Sequence, residues 1–349
     1  MPQRTTADCR RHAPASPPKS EPFKRYLDVP VAGGALAVAQ AGSPPRDSGP
    51  VVLVVHGMTS SHMVFRTVAR ELCSTGRGVC LLAPDLRGRG RSAQLPGPFG
   101  IATHIADLVA VLDHAGAERA IVVGHSIGGD IAARFAADHP ERTAALVLLD
   151  GGLPIRSEAE TPRWDDDAAW DDDARWDDDE EPDDDEGLEP RGLAQRIERT
   201  LERLEKTWAT VDEYVAFWRH HPSLKNAWDE DIDAYVQTDF VADEGGVRCA
   251  VQLMPVLTDI TDLALDGRTR TSVVRVRAPV RLIRAERGLF DDDPVLPQTE
   301  LDEFLPQHPH ISVELVPDVN HYTLLMGGGH GPRRVAATLA AMAADGDPS

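Results

Sequence analysis

The chain reads as an α/β protein built on a mostly parallel, doubly wound sheet, and three observations predict that class. Wholly apolar runs such as 51–55 (VVLVV) alternate with helical stretches of a dozen residues or so, the pattern of strands buried between helices on both faces of a sheet. One such run, 120–123, stops at Gly124-His125-Ser126-Ile127-Gly128-Gly129 and is followed at once by an alanine-rich helical stretch. The alternation then breaks after Leu153 and resumes only at Pro279, so a second unit is inserted into the first.

Residues 1–22, rich in Pro, Ser and Arg, offer nothing to bury and are expected to form a disordered tail. Runs 25–31 and 35–40, separated by Ala32-Gly33-Gly34, predict an edge hairpin, and 51–55 a buried strand ending in His56-Gly57-Met58. Val64, Val68 and Leu72 recur at intervals of four and predict a helix over 62–73. The strand 79–83 leads into Pro84-Asp85-Leu86-Arg87-Gly88-Arg89-Gly90-Arg91-Ser92, too glycine-rich and charged to lie inside a sheet. A helix over 104–114, the strand 120–123, a helix over 127–138 and the strand 144–149 follow, the last ending in Asp150-Gly151-Gly152.

Within 154–275 the apolar positions Leu193, Ile197, Leu201 and Leu204, then Val211, Tyr214, Val215 and Trp218, then Ile232, Tyr235 and Val236 predict a helical cap inserted after the sixth strand. The core is expected to occupy 23–153 and 276–345, resuming with strand 280–284, a short helix around 301–304, strand 311–316, a loop 317–321 and a closing helix over 333–343.

The charge is uneven. Of a net −21, the stretch 164–186 carries −14, with 15 acids against the single Arg175, which leaves −7 for everything else. Its six-residue repeat (WDDDAA, WDDDAR, WDDDEE) has no loop glycines at calcium-loop spacing, so a disordered acidic insertion is expected rather than a metal site. A chain this acidic should be soluble and repelled by nucleic acid. The four cysteines show no C-x-x-C spacing. With no apolar run long enough to serve as a signal core or to span a bilayer, a cytoplasmic protein with reduced thiols and no membrane association is expected. Nothing in the sequence indicates a cofactor or sets the oligomeric state.

The chemistry centres on Ser126. A strand that turns sharply into a helix through G-x-S-x-G lifts the serine hydroxyl clear of the sheet edge, and the flanking glycines leave room for the turn. A hydroxyl becomes an effective nucleophile only beside a base. Of the thirteen histidines, His321, in the loop after the last strand and on the same sheet edge as Ser126, is the best placed. The oxyanion of an acyl-transfer intermediate needs backbone donors. Ile127 follows the nucleophile and Met58 follows His56-Gly57 at the end of an earlier strand, so their N–H groups are the candidates.

With HGM at 56–58, DLRGRGRS at 85–92, GHSIGG at 124–129 and NHY at 320–322, the sequence resembles the α/β-hydrolase superfamily over roughly residues 24–345. The resemblance implies an α/β-hydrolase fold and a triad in the order nucleophile, acid, histidine. It departs at the acid. Most members carry it a few residues past the seventh core strand, where this chain has Gly288. Some haloalkane dehalogenases carry it at the end of the sixth, where this chain has Asp150, which could also be only a turn former. Asp150 is the first candidate for the acid and Asp291, in the following FDDD loop, the second. Dehalogenase and epoxide-hydrolase activities are not expected, because those relatives carry aspartate where this chain has Ser126.

The expected function is therefore that of a cofactor-free serine hydrolase, resembling carboxylesterases, acting on an ester or similar acyl bond of a small, largely apolar substrate. A carbon–carbon bond hydrolase with the same triad remains open, as does a small-molecule receptor that keeps the pocket without turnover.

Overall fold

The computed structural model describes residues 20–44, 49–154 and 193–345, with side chains of the helix that begins at 193 described from 199 onward. The tail 1–22 falls almost entirely outside the described residues, as does the acidic insertion 164–186.

Among the described residues, eleven strands and ten α-helices follow one another. They are β1 (Phe23–Val31), β2 (Gly34–Gly42), β3 (Val51–Val55), α1 (Arg66–Ser74), β4 (Cys80–Pro84), α2 (Ile101–Ala115), β5 (Ala120–His125), α3 (Ile127–Asp138) and β6 (Thr143–Leu149). After β6 come α4 (Leu193–Glu205), β7 (Thr207–Trp208), α5 (Val211–His220), α6 (Glu230–Val236), β8 (Phe240–Asp243), β9 (Gly246–Cys249), α7 (Leu253–Leu265) and α8 (Gly267–Arg270). The core resumes with β10 (Val280–Arg287), α9 (Gln298–Phe304), β11 (Ile311–Asn320) and α10 (His330–Asp345).

Eight strands form one sheet in the order β1-β2-β4-β3-β5-β6-β10-β11. From β4 to β11 every pairing is parallel, whereas β1 and β2 form an antiparallel hairpin that joins through β2 to β4. Alternate residues of each central strand serve opposite faces, as the two-residue period requires. Val52, Val54, Ile121, Val123, Val147 and Leu149 pack with Val68 and Leu72 of α1 and Val335 and Leu339 of α10. Leu53, Val55, Val122, Leu146 and Leu148 pack with Leu108 and Val111 of α2 and Ile131 and Phe135 of α3. The sheet is buried on both sides, which is why its strands read as unbroken apolar runs.

Four features differ from the sequence expectation. The helix expected over 62–73 begins as a 3-10 turn, His62–Phe65, in which the Ser61 hydroxyl accepts from Met63 N. The region after β6 carries, besides helices, a three-stranded antiparallel sheet, β7-β9-β8; strands of two to four residues are too short to leave a two-residue period. The loop expected over 317–321 is mostly strand, because β11 pairs with β10 as far as Asn320. Pro317 is tolerated there because β11 is an edge strand, where a missing N–H costs no ladder bond. The charged loop after β4 lies outside the sheet, yet Arg87 and Arg89 are both fully buried.

The region after β6 is tied to the core by charge as well as by apolar contact. Asp231 of α6 accepts from Arg66 and Arg70 of α1, and Asp259 of α7 accepts from Arg89. Among the described residues no helix is long and apolar enough to cross a membrane.

Candidate active site

Ser126 is the single residue between β5 and α3 and holds φ 56°, ψ −130°. A positive φ at a residue with a Cβ costs on the order of 1–3 kcal/mol and persists only where its surroundings impose it. Here they do. A Cβ on Gly124 would lie 2.1 Å from Gly128 O, and one on Gly151 would lie 2.5 Å from Ser126 O, so the backbones on both sides close onto the turn. Ser126 N donates to Leu149 O at 3.0 Å and Gly129 N donates back to Ser126 O at 2.8 Å. Ile127 opens α3, so its N–H belongs to the first turn of the helix, which has no intrahelical acceptor.

The register places the next component. His125 of β5 faces Leu149 of β6, which brings Asp150 to the same sheet edge. Asp150 is fully buried and takes φ 50°. Its N–H donates to Ile283 O at 2.9 Å, and its Oδ1 accepts from Ala285 N at 3.0 Å. The other oxygen, Oδ2, lies 2.6 Å from His321 Nδ1. Strand β10 thus fixes the carboxylate so that one oxygen is left for the imidazole.

His321 follows the end of β11 and is 3% exposed. Its ring lies against that of His125, with centroids 4.3 Å apart, and its carbonyl is 3.1 Å from His125 Nε2. A carbonyl only accepts, so His125 carries its proton on Nε2. Burial first, then the neighbouring His321, pushes the His125 pKa well below the usual imidazole range, so His125 stays neutral. With Nδ1 of His321 directed at a carboxylate, its Nε2 is the nitrogen available to take a proton.

Asp291 sits elsewhere. Its Oδ1 accepts from Arg287 Nε and from Asn320 Nδ2, each at 2.8 Å. Asn320 Oδ1 in turn accepts from Tyr322 N at 3.1 Å and Thr323 N at 2.9 Å. Asp291 therefore bonds the residue before His321, and Asp150 bonds its ring.

The strand end of β3 supplies the loop facing the elbow, and a Cβ on Gly57 would stand 3.3 Å from Ser126 Cβ. His56 is completely buried; its Nδ1–H donates to Gly57 O at 2.8 Å while Nε2 accepts from Leu86 N at 3.0 Å. Burial lowers its pKa to about 4, which keeps that tautomer neutral. The carbonyl and amide of one trans peptide point in opposite directions. Drawing Gly57 O toward His56 therefore turns the Met58 N–H away from His56. Met58 O accepts from Arg89 Nε at 3.0 Å.

The sequence singled out Ser126, His321, Asp150, Met58 and Ile127, and the fold brings Ser126, Asp150 and His321 together at one edge of the sheet. His56, His125 and Arg89 were missed as contributors. His56 and Arg89 lie inside the motifs already noted, but nothing in a single sequence says that their side chains point inward. Trp218, His221, Phe290 and Tyr322 were also missed as a group. Their rings touch in sequence, with His221 centred 5.4 Å from Trp218, 5.2 Å from Phe290 and 5.5 Å from Tyr322, and Tyr322 lies 5.8 Å from His321. Among the described residues no group of three His, Cys, Asp or Glu side chains is arranged to hold a metal ion, and Cys73, Cys80 and Cys249 are free thiols.

Known proteins bear on the fold and, in part, on the sequence. The chain is 41% identical over 109 residues to the lipase LipV of Mycobacterium tuberculosis, a match covering 31% of this chain and 40% of that lipase. It is 40% identical over 111 residues to epoxide hydrolase B of the same organism, covering 31% of each. The chain thus spans less than half the length of these curated relatives. Among solved structures, E-2-(acetamidomethylene)succinate hydrolase superimposes with a TM-score of 0.62 at 18% identity, over 91% of this chain and 96% of that one. The thioesterase domain from the curacin biosynthetic pathway gives a TM-score of 0.62 at 18% identity, over 92% and 99%. At that identity the likeness is one of fold. The family model for the alpha/beta hydrolase fold matches residues 50–327, and on that match the chain belongs to the α/β-hydrolase fold family.

Proposed function

We propose that the protein is a serine hydrolase that cleaves an ester or similar acyl bond of a small, largely apolar substrate. The observation that carries the reading is the 2.6 Å contact between His321 Nδ1 and Asp150 Oδ2, beside an elbow that holds Ser126 at positive φ. In this reading His321 Nε2 takes the Ser126 proton as Oγ attacks the carbonyl carbon, and the imidazolium so formed is stabilised by Asp150. The negative charge moves to the carbonyl oxygen, where the N–H groups of Met58 and Ile127 receive it. His321 then returns the proton to the leaving alcohol, and a water activated in the same way releases the acid and regenerates the serine.

The membership of a hydrolase-fold family supports hydrolytic chemistry, and the lipase among the relatives agrees with an acyl substrate. The epoxide hydrolase relatives do not carry over their named substrate. A serine oxygen that opened an epoxide would form an ether, which has no carbonyl for water to attack. The aromatic group from Trp218 to Tyr322, next to His321, favours an apolar substrate. The test is labelling of Ser126 by a fluorophosphonate together with hydrolysis of nitrophenyl esters of increasing acyl length. Labelling at Ser126 and turnover of short to medium esters are expected, whereas an unlabelled Ser126 would overturn the assignment.

A further inference from the structure

Arg203, on α4 of the region inserted after β6, is buried, at 5% exposure. Its Nη1 donates to Tyr214 Oη at 3.0 Å, Asp239 Oδ2 at 2.6 Å and Cys249 Sγ at 2.9 Å, and the guanidinium lies 4.8 Å from the centre of the Trp218 ring. Burial opposes its charge, and Asp239, Cys249 and Tyr214 outweigh that opposition and hold its pKa well above the ordinary value. These contacts would complete an ordinary buried ion pair. The remaining contact does not belong to one: Nη2 donates to Thr59 O at 3.2 Å, the carbonyl next to Met58.

From that contact a chain of peptide dipoles runs toward the elbow. The Thr59–Ser60 peptide accepts from Arg203 at its carbonyl, and its Ser60 N–H donates to Gly57 O at 3.3 Å. Gly57 O belongs to the peptide whose N–H is that of Met58. Hydrogen bonds arranged head to tail polarise one another, so the Arg203 charge strengthens the Met58 N–H as a donor and fixes its direction. The side chain of Met58 packs at the same place against the buried cluster of Leu204, Cys249, Val251 and Val256. Helix α4 thus holds the Thr59 carbonyl through Arg203 and contributes Leu204 to the cluster that the Met58 side chain packs against.

We propose that Arg203 is a positioning residue for the oxyanion donor: by holding Thr59 O it keeps the Gly57–Met58 peptide turned toward the substrate oxygen, so that catalysis requires the inserted unit to be seated on the core. The proposal rests on the serine-hydrolase reading above, in which Met58 N–H receives the oxyanion.

The experiment measures kcat and KM for a nitrophenyl ester, and the affinity of a trifluoromethyl ketone that forms an oxyanion on the serine, in the full-length protein. Arg203→Lys keeps a charge opposite Asp239 but lacks the planar fork needed to reach Thr59 O as well. Removing an oxyanion donor outright costs about 10²- to 10³-fold in kcat, so its misalignment is expected to cost about 10- to 100-fold. KM should stay within about threefold, because ground-state binding does not use the donor. The ketone should bind more weakly by the same factor as kcat/KM falls. Arg203→Met combined with Asp239→Asn removes the pair without leaving a buried charge and should give the same split, guarding against a folding defect in the lysine variant. A kcat within about threefold of wild type in either folded variant, or a loss confined to KM, overturns the proposal. Ser126→Ala is assayed in parallel. Its inactivity with an unaffected Arg203→Lys sinks the positioning role alone, and activity surviving in Ser126→Ala sinks the serine reading and this proposal together.

Discussion

Two buried histidine–aspartate pairs, in two regions of the molecule, look alike and are built for different ends. At the sheet edge His321 Nδ1 meets Asp150 at 2.6 Å. At the junction with the inserted unit, His104 of α2 meets Asp259 of α7, with Nε2 3.0 Å from Oδ1 and 3.1 Å from Oδ2. Both histidines are buried. The difference lies in what surrounds each pair. Asp259 also accepts from Arg89 Nη2 at 2.5 Å, and burial, opposed by His104 and Arg89, ends with its pKa below the usual carboxylate value. The other nitrogen of His104, Nδ1, is buried and has no partner among the described residues, so no group lies beside it for a proton to pass to. Asp150 has one backbone donor, Ala285 N, in place of an arginine, and its histidine keeps a second nitrogen at the sheet edge that bears Ser126. A histidine–carboxylate contact is thus a structural element by default; a nucleophile on a strained turn makes it a candidate for catalysis.

The comparison is open to direct attack. The largest expected effect is that of Ser126→Ala or His321→Ala, each of which should lower ester turnover by on the order of 10⁶, since triad members act as a unit. Circular dichroism and thermal melts should show both variants folded. Asp150→Asn should cost about 10⁴ in kcat through the wrong imidazole tautomer, against less than about tenfold for Asp291→Asn, because the Asp291 carboxylate bonds Asn320 and Arg287 and not the His321 ring. The reverse ranking would move the acid to the loop after β10.

His104→Ala makes the opposite trade. It should lower stability by about 1–3 kcal/mol in chemical denaturation, because it strips a hydrogen bond from a buried carboxylate. Arg89 still pairs Asp259, so kcat should stay within about tenfold of wild type. A loss of turnover as large as that of His321→Ala would erase the distinction drawn above.

The smallest effect on turnover concerns a partly buried carboxyl without a histidine. Asp130, in the first turn of α3, has its pKa raised to about 7 by burial. Its folded form therefore binds a proton more tightly than the unfolded chain. Stability from this group is complete below about pH 4 and is lost as pH rises toward 7. Asp130→Asn should leave stability nearly unchanged at pH 4 and raise it at pH 8, by up to the roughly 4 kcal/mol that raising a carboxyl pKa from its ordinary value to about 7 corresponds to. An equal effect at both values would mean that Asp130 ionises normally.

Much of this arrangement was legible before folding. The glycines around Ser126, the strand before it and the helix after it are local signals, and each survives in the structure because each is demanded within a few residues. The end of β6 was legible too, since LVLLDGG stops an apolar run at an acid and two glycines. What could not be read depends on long reach. Arg203 contacts Thr59 across 144 residues and Asp259 meets Arg89 across 170. Nothing in RTLERLEK or DLRGRGRS marks which arginine turns inward. The small sheet β7-β9-β8 escaped for another reason, its strands of two to four residues being too short for a pattern to repeat convincingly. The length of β11 escaped because proline normally ends a strand, and only the edge position relieves that rule.

The chain distances within the candidate site have a consequence for the order of assembly. Ser126 and Asp150 sit on adjacent strands joined by one helix, whereas His321 reaches Asp150 across 171 residues. Contacts of long sequence separation form late, because loop closure must precede them. The elbow and Asp150 can therefore be in place while β11 is still unpaired, and His321 arrives only when β11 docks beside β10. On the serine-hydrolase reading proposed above, Ser126 would lack its base until that last strand is seated. A nascent or partly unfolded chain would carry the reactive residue in an inert state, and the appearance of labelling by an acylating probe would time the final docking step of folding.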